Sequence, residues 1–313
     1  MSDITNVSNQ HRYEQVLRYL HHGQIKLAIE GLRELLGSDP NQSLYHATLA
    51  LCLMDAKRIY AAEIESAEAL RLDPTSAYSH YVSAAVLLNR NQPKKALAAC
   101  LTALQINPEY LSAILLCARI HNALGDKKAH QALLDKALQL DPESVETLVA
   151  YGEYHLAANN LSAAQDYVQQ ALAISPEDES AHLLAGELAL KAKDTREAHY
   201  HAGYVIRYNP DNENALLLMC NIKMRENWLM GLWWRFNSAL SGMSHLRAGW
   251  ILILGYLLFN LSSVFLSHMG YPALGSMVTF GWLGLVLYSW FGIPIYQKML
   301  AKELEKFRFN NDF

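Results

Sequence analysis

Cysteine is scarce in this chain, and the short motifs on which catalysis commonly depends are missing. The 313 residues include four cysteines, none of which forms a C-x-x-C pair, so zinc ribbons and dithiol sites are excluded. There is also no glycine-rich phosphate loop, no G-x-S-x-G elbow and no H-E-x-x-H pair. We therefore expect no enzymatic activity, no cofactor and no metal site.

A basic surface is missing as well. Lys and Arg together number 26 and Asp and Glu 30, which gives a formal net charge of −4. No segment forms the basic stripe with which a nucleic-acid-binding protein neutralises phosphates. We expect the partners of this chain to be proteins and membrane lipid, not nucleic acid.

Charge is absent altogether from Ala248 to Gln297, a stretch of fifty residues without Asp, Glu, Lys or Arg. Its two halves, Ala248–Ser267 and Ala273–Tyr296, are each long enough to cross a bilayer core of about 30 Å as a helix. The residues between them have the composition of a turn. This pattern predicts a transmembrane helical hairpin over 248–297; the alternative is a buried helix pair in a soluble protein.

Proline, in contrast, recurs at a strict interval. Six prolines follow one another at a spacing of 34 residues: Pro40, Pro74, Pro108, Pro142, Pro176 and Pro210. Because proline lacks an N–H and clashes with the preceding turn, each one ends a helix and begins the next turn. A strict period in this range predicts a solenoid of helix pairs.

Small residues keep the same period. Counting from Asn9, position 20 of the repeat is alanine in five of the six repeats, and positions 8 and 27 are mostly small. Small side chains let neighbouring helices cross closely. Histidine recurs at position 4, as His46, His80 and His182, and the repeat explains this recurrence better than a metal site does.

This pattern resembles the tetratricopeptide repeat family over Asn9 to Asn212. The resemblance implies an all-α fold, with a right-handed solenoid over 9–225 behind a short N-terminal extension, 1–8. Glu213–Arg225 would form a partial seventh repeat that caps the array. The sequence departs from the family at position 4, where the expected large aromatic residue is replaced.

In this family the first helix of each pair lines a concave groove that binds peptides or partner helices, and positions 2, 5, 9 and 12 of the repeat face that groove. By that analogy, we assign six residues to the groove: Tyr78, Tyr81, Arg119, Asn122, Glu153 and Glu187. The repeats over 145–212 carry ten acidic and four basic residues, which favours an amphipathic ligand with a basic end. The alternative is that much of the apolar lining packs against neighbouring helices.

One familiar groove type is excluded. Co-chaperones that hold the C-terminus of heat-shock chaperones use Lys, Arg and Asn at positions 5 and 9 of adjacent repeats. Here position 5 is Tyr13, Ala47 and Tyr81 in the first three repeats, so the basic clamp is absent.

A tryptophan-rich segment, 226–247, precedes the hairpin. We assign four of its residues to a membrane interface: Trp228, Trp233, Trp234 and Phe236. Tryptophan favours the headgroup region, so the segment is typical of a helix that lies on the membrane surface. The alternative is that it completes the seventh helix pair.

The basic residues around the hairpin predict its orientation. Arg225, Arg235 and Arg247 precede it, basic residues also follow it in the tail 298–313, and the connector has none. By the positive-inside rule, both ends stay in the cytoplasm. Without an apolar stretch at the N-terminus, we expect an integral protein of a bacterial inner membrane, with a cytoplasmic solenoid and cytoplasmic termini.

One polar residue, Asn260, lies near the centre of the first predicted span. It could bond across the hairpin, to Ser276 or Thr279, or to a helix of another protein. Gly275 and Gly281 would allow the two spans to approach closely.

These features predict a membrane-anchored scaffold that docks a peptide or partner helix in a cytoplasmic groove. One alternative is a dedicated subunit of a membrane transport, secretion or envelope-assembly complex. The other is an accessory activator of a membrane enzyme.

Overall fold

The regular structure of the described residues is all α-helix. The computed structural model describes residues 2–210, 212–226, 245–271, 273–278 and 280–281. The chain divides into two compact units, Met1–Asp178 and Glu179–Phe313. The predicted all-α fold is therefore confirmed for this part of the chain.

The first unit consists of five helix pairs. Its helices are α1 (Ser2–His21), α2 (Ile25–Ser38), α3 (Ser43–Asp55), α4 (Ile59–Leu72), α5 (Ala77–Asn89), α6 (Pro93–Ile106), α7 (Leu111–Ala123), α8 (Lys127–Leu140), α9 (Val145–Ala157) and α10 (Leu161–Ile174). The two helices of each pair pack against each other, and each second helix packs against the first helix of the next pair. From α3 onward, a helix of 13 residues alternates with one of 14. Helix α1 begins at Ser2 and so runs through the segment assigned as an N-terminal extension.

The second unit contains a further pair and two more described helices. These are α11 (Glu179–Lys191), α12 (Thr195–Tyr208), α13 (Glu213–Glu226) and α14 (His245–His268). Helix α13 covers the segment expected to cap the repeats and packs against both α11 and α12. Its inner face, Leu218, Met219 and Ile222, is buried in that contact.

A left-handed residue follows the first helix of every repeat. The residues with positive φ lie 34 positions apart, at Gly23, Lys57, Asn91, Gly125, Asn159 and Lys193. In the second repeat, the N–H of Arg58 donates to the carbonyl of Leu53 at 2.8 Å and that of Lys57 to Met54 at 3.0 Å. This bond pair is the Schellman motif, which satisfies carbonyls at a helix C-terminus. Several residue types occupy the position, so residue identity alone does not reveal the motif.

The second turn of each repeat is built around its proline. Helix α4 ends at Leu72, and Asp73 is extended, as a residue before proline must be. The Asp73 side chain accepts the N–H of Thr75 at 2.9 Å. Asn107 and Asp141 accept in the same way, two residues on, in the next two repeats. The predicted role of the prolines is confirmed.

Small residues lie where helices cross. Ala62, Ala96 and Ala164, all at position 20, have no exposed surface. The exception is His130 of the fourth repeat, whose ring is buried and whose Nδ1 lies 2.7 Å from the carbonyl of Ala118. A polar ring is tolerated there because that carbonyl accepts its hydrogen bond.

Helix α14 contains the whole of the first predicted span and ends at the predicted turn. Gly270, with φ of +89°, terminates it, and the N–H of Tyr271 donates to the carbonyl of Leu266 at 3.0 Å. Residues 273–278 and 280–281 are helical again. The Ser263 hydroxyl donates to the carbonyl of Gly275 at 2.8 Å, and a Cβ on Gly275 would lie 2.8 Å from the Ser263 carbonyl. The expected close approach therefore occurs at Gly275, whereas no atom of the described residues lies within 4 Å of a Cβ placed on Gly281.

The hydrogen bond described for Asn260 runs along its own helix. Its Nδ2 donates to the hydroxyl of Tyr256, 3.3 Å away and one turn earlier. The partner in this bond is Tyr256 and not Ser276. Residues four apart lie on the same face of a helix, which places Tyr256 within reach. Thr279 lies outside the described residues.

Much of the membrane prediction falls on residues that the structure does not describe. Within the described ranges, no helix is both long enough and apolar enough to cross a membrane. The interfacial residues Trp228, Trp233, Trp234 and Phe236 lie outside those ranges, as does the chain from 282 onward. The hairpin and the interfacial segment stay predictions.

Candidate partner-binding cleft

A cleft of about 170 Å³ opens on the first-helix side of unit 1. Four first helices contribute to it, because side chains at equivalent repeat positions line up along the stack. Its lining consists of Leu51 and Met54 from α3, Tyr81, Ala85, Leu88 and Asn89 from α5, Ser112, Leu115, Leu116 and Arg119 from α7, and Glu146 from α9. It therefore combines an apolar floor with one cation and one carboxylate.

A chain of tyrosines adjoins the cleft. The Tyr13 hydroxyl lies 2.8 Å from the hydroxyl of Thr48, which lies 3.4 Å from that of Tyr78. The Tyr78 ring stacks near Tyr81 with centroids 6.3 Å apart, and Tyr81 is 5.4 Å from the ring of Tyr110. Burial raises the pKa of Tyr78 and of Tyr81, so both stay neutral at any physiological pH. The wall they form is therefore aromatic and uncharged.

The described charges at the cleft are two carboxylates, each with a cation near it. Partial burial raises the pKa of Glu146, and the positive charge of Arg119 partly offsets that rise. Asp55 near the other end behaves alike: burial raises its pKa and Lys57 offsets part of the rise. A basic group entering here would meet carboxylates that are partly desolvated, where attraction is stronger than at an open surface.

The predicted groove residues fall into three groups. Tyr81 and Arg119 line the cleft, and Tyr78 stands directly beside it. Asn122 and Glu153 are exposed on the same helices, α7 and α9, but outside the cleft lining. Glu187 lies on α11 of the second unit, where partial burial raises its pKa and Lys191 partly offsets this.

Some apolar residues at groove-facing positions are packed instead. Ala47, Val149 and Leu156 have at most 6% of their surface exposed, so they hold neighbouring helices together. This is the alternative that the sequence left open. Two lining residues, Asn89 and Leu116, lie one position beyond the expected register, at positions 13 and 6 of their repeats. Only the structure shows that the cleft is wide enough to include these two residues.

The histidines serve the repeat packing. The His46 and His80 Nε2 atoms lie 2.9 and 3.0 Å from the carbonyls of Pro40 and Pro74. His182, at the same repeat position, is buried instead. Among the described residues, no three His, Cys, Asp or Glu side chains are grouped closely enough to hold a metal ion.

The four cysteines form no disulfide within the described part of the chain. Cys52, Cys100 and Cys117 are buried and Cys220 is partly buried. Burial raises the pKa of Cys52 to about 12, which keeps it protonated and unreactive. These residues pack as small apolar side chains.

The helix pairs are joined by a proline turn every 34 residues, and a cleft opens on their first-helix side. These features define an all-α repeat array of the kind used in interaction scaffolds. The repeats resemble those of the tetratricopeptide-repeat family. The sequence profile of the Tetratricopeptide repeat family matches residues 127–188. No curated protein matches the sequence.

Solved structures show the same fold. TTC0263, a thermophilic tetratricopeptide-repeat protein in Thermus thermophilus, is 18% identical with a TM-score of 0.53, over 58% of this chain and 99% of that one. PilW, described as a widely conserved type IV pilus biogenesis factor, is 19% identical with a TM-score of 0.50, over 68% of this chain and 98% of that one. At such identities the likeness concerns the fold alone.

Proposed function

We propose that this protein is a membrane-anchored scaffold whose unit 1 cleft holds a segment of a partner protein. The observation that carries the proposal is the cleft itself, an apolar floor between four first helices with Arg119 and Glu146 at one end. An apolar side chain of a ligand fits the floor, and a neighbouring basic residue fits Glu146. Such a ligand matches the amphipathic segment with a basic end that the charge pattern favours.

The cleft can be tested with a defined probe. We would select a displayed library of random dodecapeptides on the full-length protein in detergent. The expected enrichment is a bulky apolar residue close to Lys or Arg. Glu146→Lys should shift the enriched charge from basic to acidic, because it reverses the sign at that end of the cleft. Glu30→Lys, an equal change on an exposed site of α2 outside the cleft lining, should leave the selection unchanged.

A second variant tests the floor. Ala85→Trp places a large ring in the cleft and should weaken the selected peptides by about tenfold, or about 1.4 kcal/mol. Ala98→Trp makes the same change on an exposed position of α6 in the same repeat and should have no effect. Peptides that bind Ala85→Trp as tightly as the unmodified chain would show that the cleft is not the binding site.

The anchor in this proposal is the hairpin 248–297, with the repeats on the cytoplasmic side of a bacterial inner membrane. The uncharged stretch supports it, and so does the exposure of large apolar side chains between Tyr256 and Phe280. Phe265 is 62% exposed and Met277 is 70% exposed. Surface of this kind is costly in water and costs little in lipid.

Carbonate extraction of native membranes tests the anchor. We expect the protein to stay in the pellet, and its release into the supernatant would remove the hairpin from the proposal. Cross-linking in native membranes then separates the two roles of the hairpin. Cross-links from 248–297 to fixed subunits favour a component of a membrane complex, whereas cross-links confined to the cleft favour a tethered scaffold.

A further inference from the structure

A second cleft, of about 510 Å³, opens elsewhere on unit 1. It lies where α8, α9, α10 and the proline turn between the fourth and fifth repeats meet. The residues that matter are Leu138, Pro142, His155, Asp166, Tyr167 and Gln170. None of them lines the partner-binding cleft, so this is a separate site that the proposed function does not use.

One wall of this cleft is a stack of aromatic rings. The His155 and Tyr167 rings lie 5.5 Å apart with their planes within 11°. Tyr151 stacks on Tyr167 with centroids 5.0 Å apart and an angle of 19°. Tyr151 is itself buried and donates its hydroxyl hydrogen to the carboxylate of Asp135. The wall is therefore held in place before any ligand arrives, and aromatic faces attract cations.

Two of the polar groups at the cleft offer acceptors. Asp166 supplies a carboxylate to the lining. The Gln170 amide nitrogen donates to the backbone carbonyl of Asp166 at 3.2 Å, so its side-chain oxygen remains as the acceptor. Leu138 and Pro142 add apolar surface. An aliphatic stem that ends in a flat cation complements this combination.

The segment that forms the cleft is mainly acidic. Residues 135–178 contain eight acidic side chains and a single Lys or Arg, Lys136. The Lys136 ammonium donates to the carbonyl of Pro108 at 2.8 Å, which ties it to the preceding repeat. A cation that approaches this region therefore meets a negative field with little competition.

We propose that this second cleft receives an arginine side chain of a partner protein. Its guanidinium group stacks on the Tyr167 and His155 rings and donates to the Asp166 carboxylate and the Gln170 oxygen. Its methylene stem lies on Leu138 and Pro142. Arginine fits better than lysine because its planar guanidinium can stack on a ring and bind a carboxylate at once.

A matched pair of small probes tests the chemistry on the full-length protein in detergent micelles. N-acetyl-arginine amide carries the guanidinium, and N-acetyl-citrulline amide has the same shape without the charge. Ligand-observed saturation-transfer NMR gives both dissociation constants. We expect the arginine probe to bind at least about tenfold more tightly, as a desolvated cation–π contact and a charge-assisted hydrogen bond together require. Equal binding of the two probes would overturn the proposal.

Variants place the probe in the cleft. Tyr167→Leu and Asp166→Asn should each weaken the arginine probe by about fivefold or more, since each removes one of the two contacts. Tyr167→Phe keeps the ring and should bind as the unmodified chain does, which keeps the test decisive if Tyr167→Leu fails to fold. Tyr60→Leu removes an exposed aromatic ring elsewhere in unit 1 and should change nothing. Loss of binding in Tyr167→Phe, retention in Asp166→Asn, or an equal loss in Tyr60→Leu would each contradict the assignment.

Discussion

The second and sixth repeats make the same contact with opposite chemistry. In the second repeat, in unit 1, His46 Nδ1 lies 2.6 Å from the carboxylate of Glu65. In the sixth repeat, in unit 2, His182 Nδ1 lies 2.8 Å from the Nδ1 of His201. Both contacts join positions 4 and 23 of a repeat, nineteen residues apart. The repeat geometry decides which side chains meet, and the identity of the two residues decides whether the contact stabilises a charged ring.

The two contacts also differ in what surrounds them. The His46 ring has a second acceptor, the carbonyl of Pro40, at 2.9 Å, so a ring with a proton on each nitrogen can donate twice. The His182 ring stacks on Tyr204 with centroids 3.9 Å apart, and both histidines of its pair are buried. Two bases that face each other can share one proton but cannot both be charged without repulsion. The sixth repeat should therefore respond to acid.

The largest expected effect is loss of stability of α11 and α12 in acid. Burial, and then His182, lowers the pKa of His201 to about 4, so His201 is neutral in the fold but takes up a proton when unfolded below its ordinary pKa. The contribution of neutral His201 to the free energy of unfolding is complete at neutral pH, and it falls as the pH drops from about 6.5 towards 4. Between pH 7 and pH 5 the loss is about 2 kcal/mol. Hydrogen exchange of the full chain, corrected for intrinsic rates and resolved by peptide, measures it locally.

A pair of variants checks the source of this response. His201→Phe removes the base and should flatten the pH dependence of protection in α11 and α12. His80→Phe changes the same repeat position as His182, but in unit 1 and opposite Ala99, and should leave that dependence intact. Unchanged protection of α11 and α12 at pH 5 in the natural sequence would contradict the comparison.

The next effect concerns the His–Glu contact of the second repeat. Glu65→Ala should cost about 1 kcal/mol, because it removes a charge-assisted hydrogen bond that is only partly screened by water. The His46 and Glu65 side chains are 14% and 26% exposed. Urea unfolding of the full chain, with exchange protection of α3 and α4 as a local readout, measures the loss.

Glu68 on the same helix supplies the control. It pairs with Arg71 one turn away, on an exposed surface, at 2.6 Å. Glu68→Ala should cost clearly less than Glu65→Ala, because solvent screens an exposed pair three residues apart. If Glu65→Ala costs no more than Glu68→Ala, the contact between positions 4 and 23 contributes nothing to the second repeat.

The sequence predicts the helix pairs better than it predicts these contacts. The proline period places the ends of α4 and its equivalents because a proline acts on its own backbone. The contact between His182 and His201 depends on the angle at which two helices cross, and nothing local to either residue encodes that angle. The sequence therefore reveals that histidine recurs at position 4 but not that His182 meets another base.

The same limit applies to the candidate cleft. The family analogy assigns Tyr81 and Arg119 to the groove, and both line the cleft, because they lie on one face of a first helix. It places Val149 on that face as well, yet neighbouring helices bury Val149 almost completely. Which periodic side chains stay accessible depends on the next repeat in the stack, and that is a tertiary property.

The smallest effect compares the left-handed turns of the two units. Lys57 in unit 1 and Lys193 in unit 2 have φ of 60° and 68°, where a side chain is strained and glycine is not. Lys57→Gly and Lys193→Gly should each raise the free energy of unfolding by about 0.5 kcal/mol, as relief of a left-handed residue exceeds the entropy that glycine adds to the unfolded chain. Urea midpoints of the full chain give both values.

Lys57→Gln separates charge from conformation, since it removes the ammonium that faces Asp55 and keeps the strain. Equal gains in the two units would show that the turn belongs to the repeat itself, whereas a loss in either variant would show that the lysine stabilises its own turn through contacts that outweigh the strain.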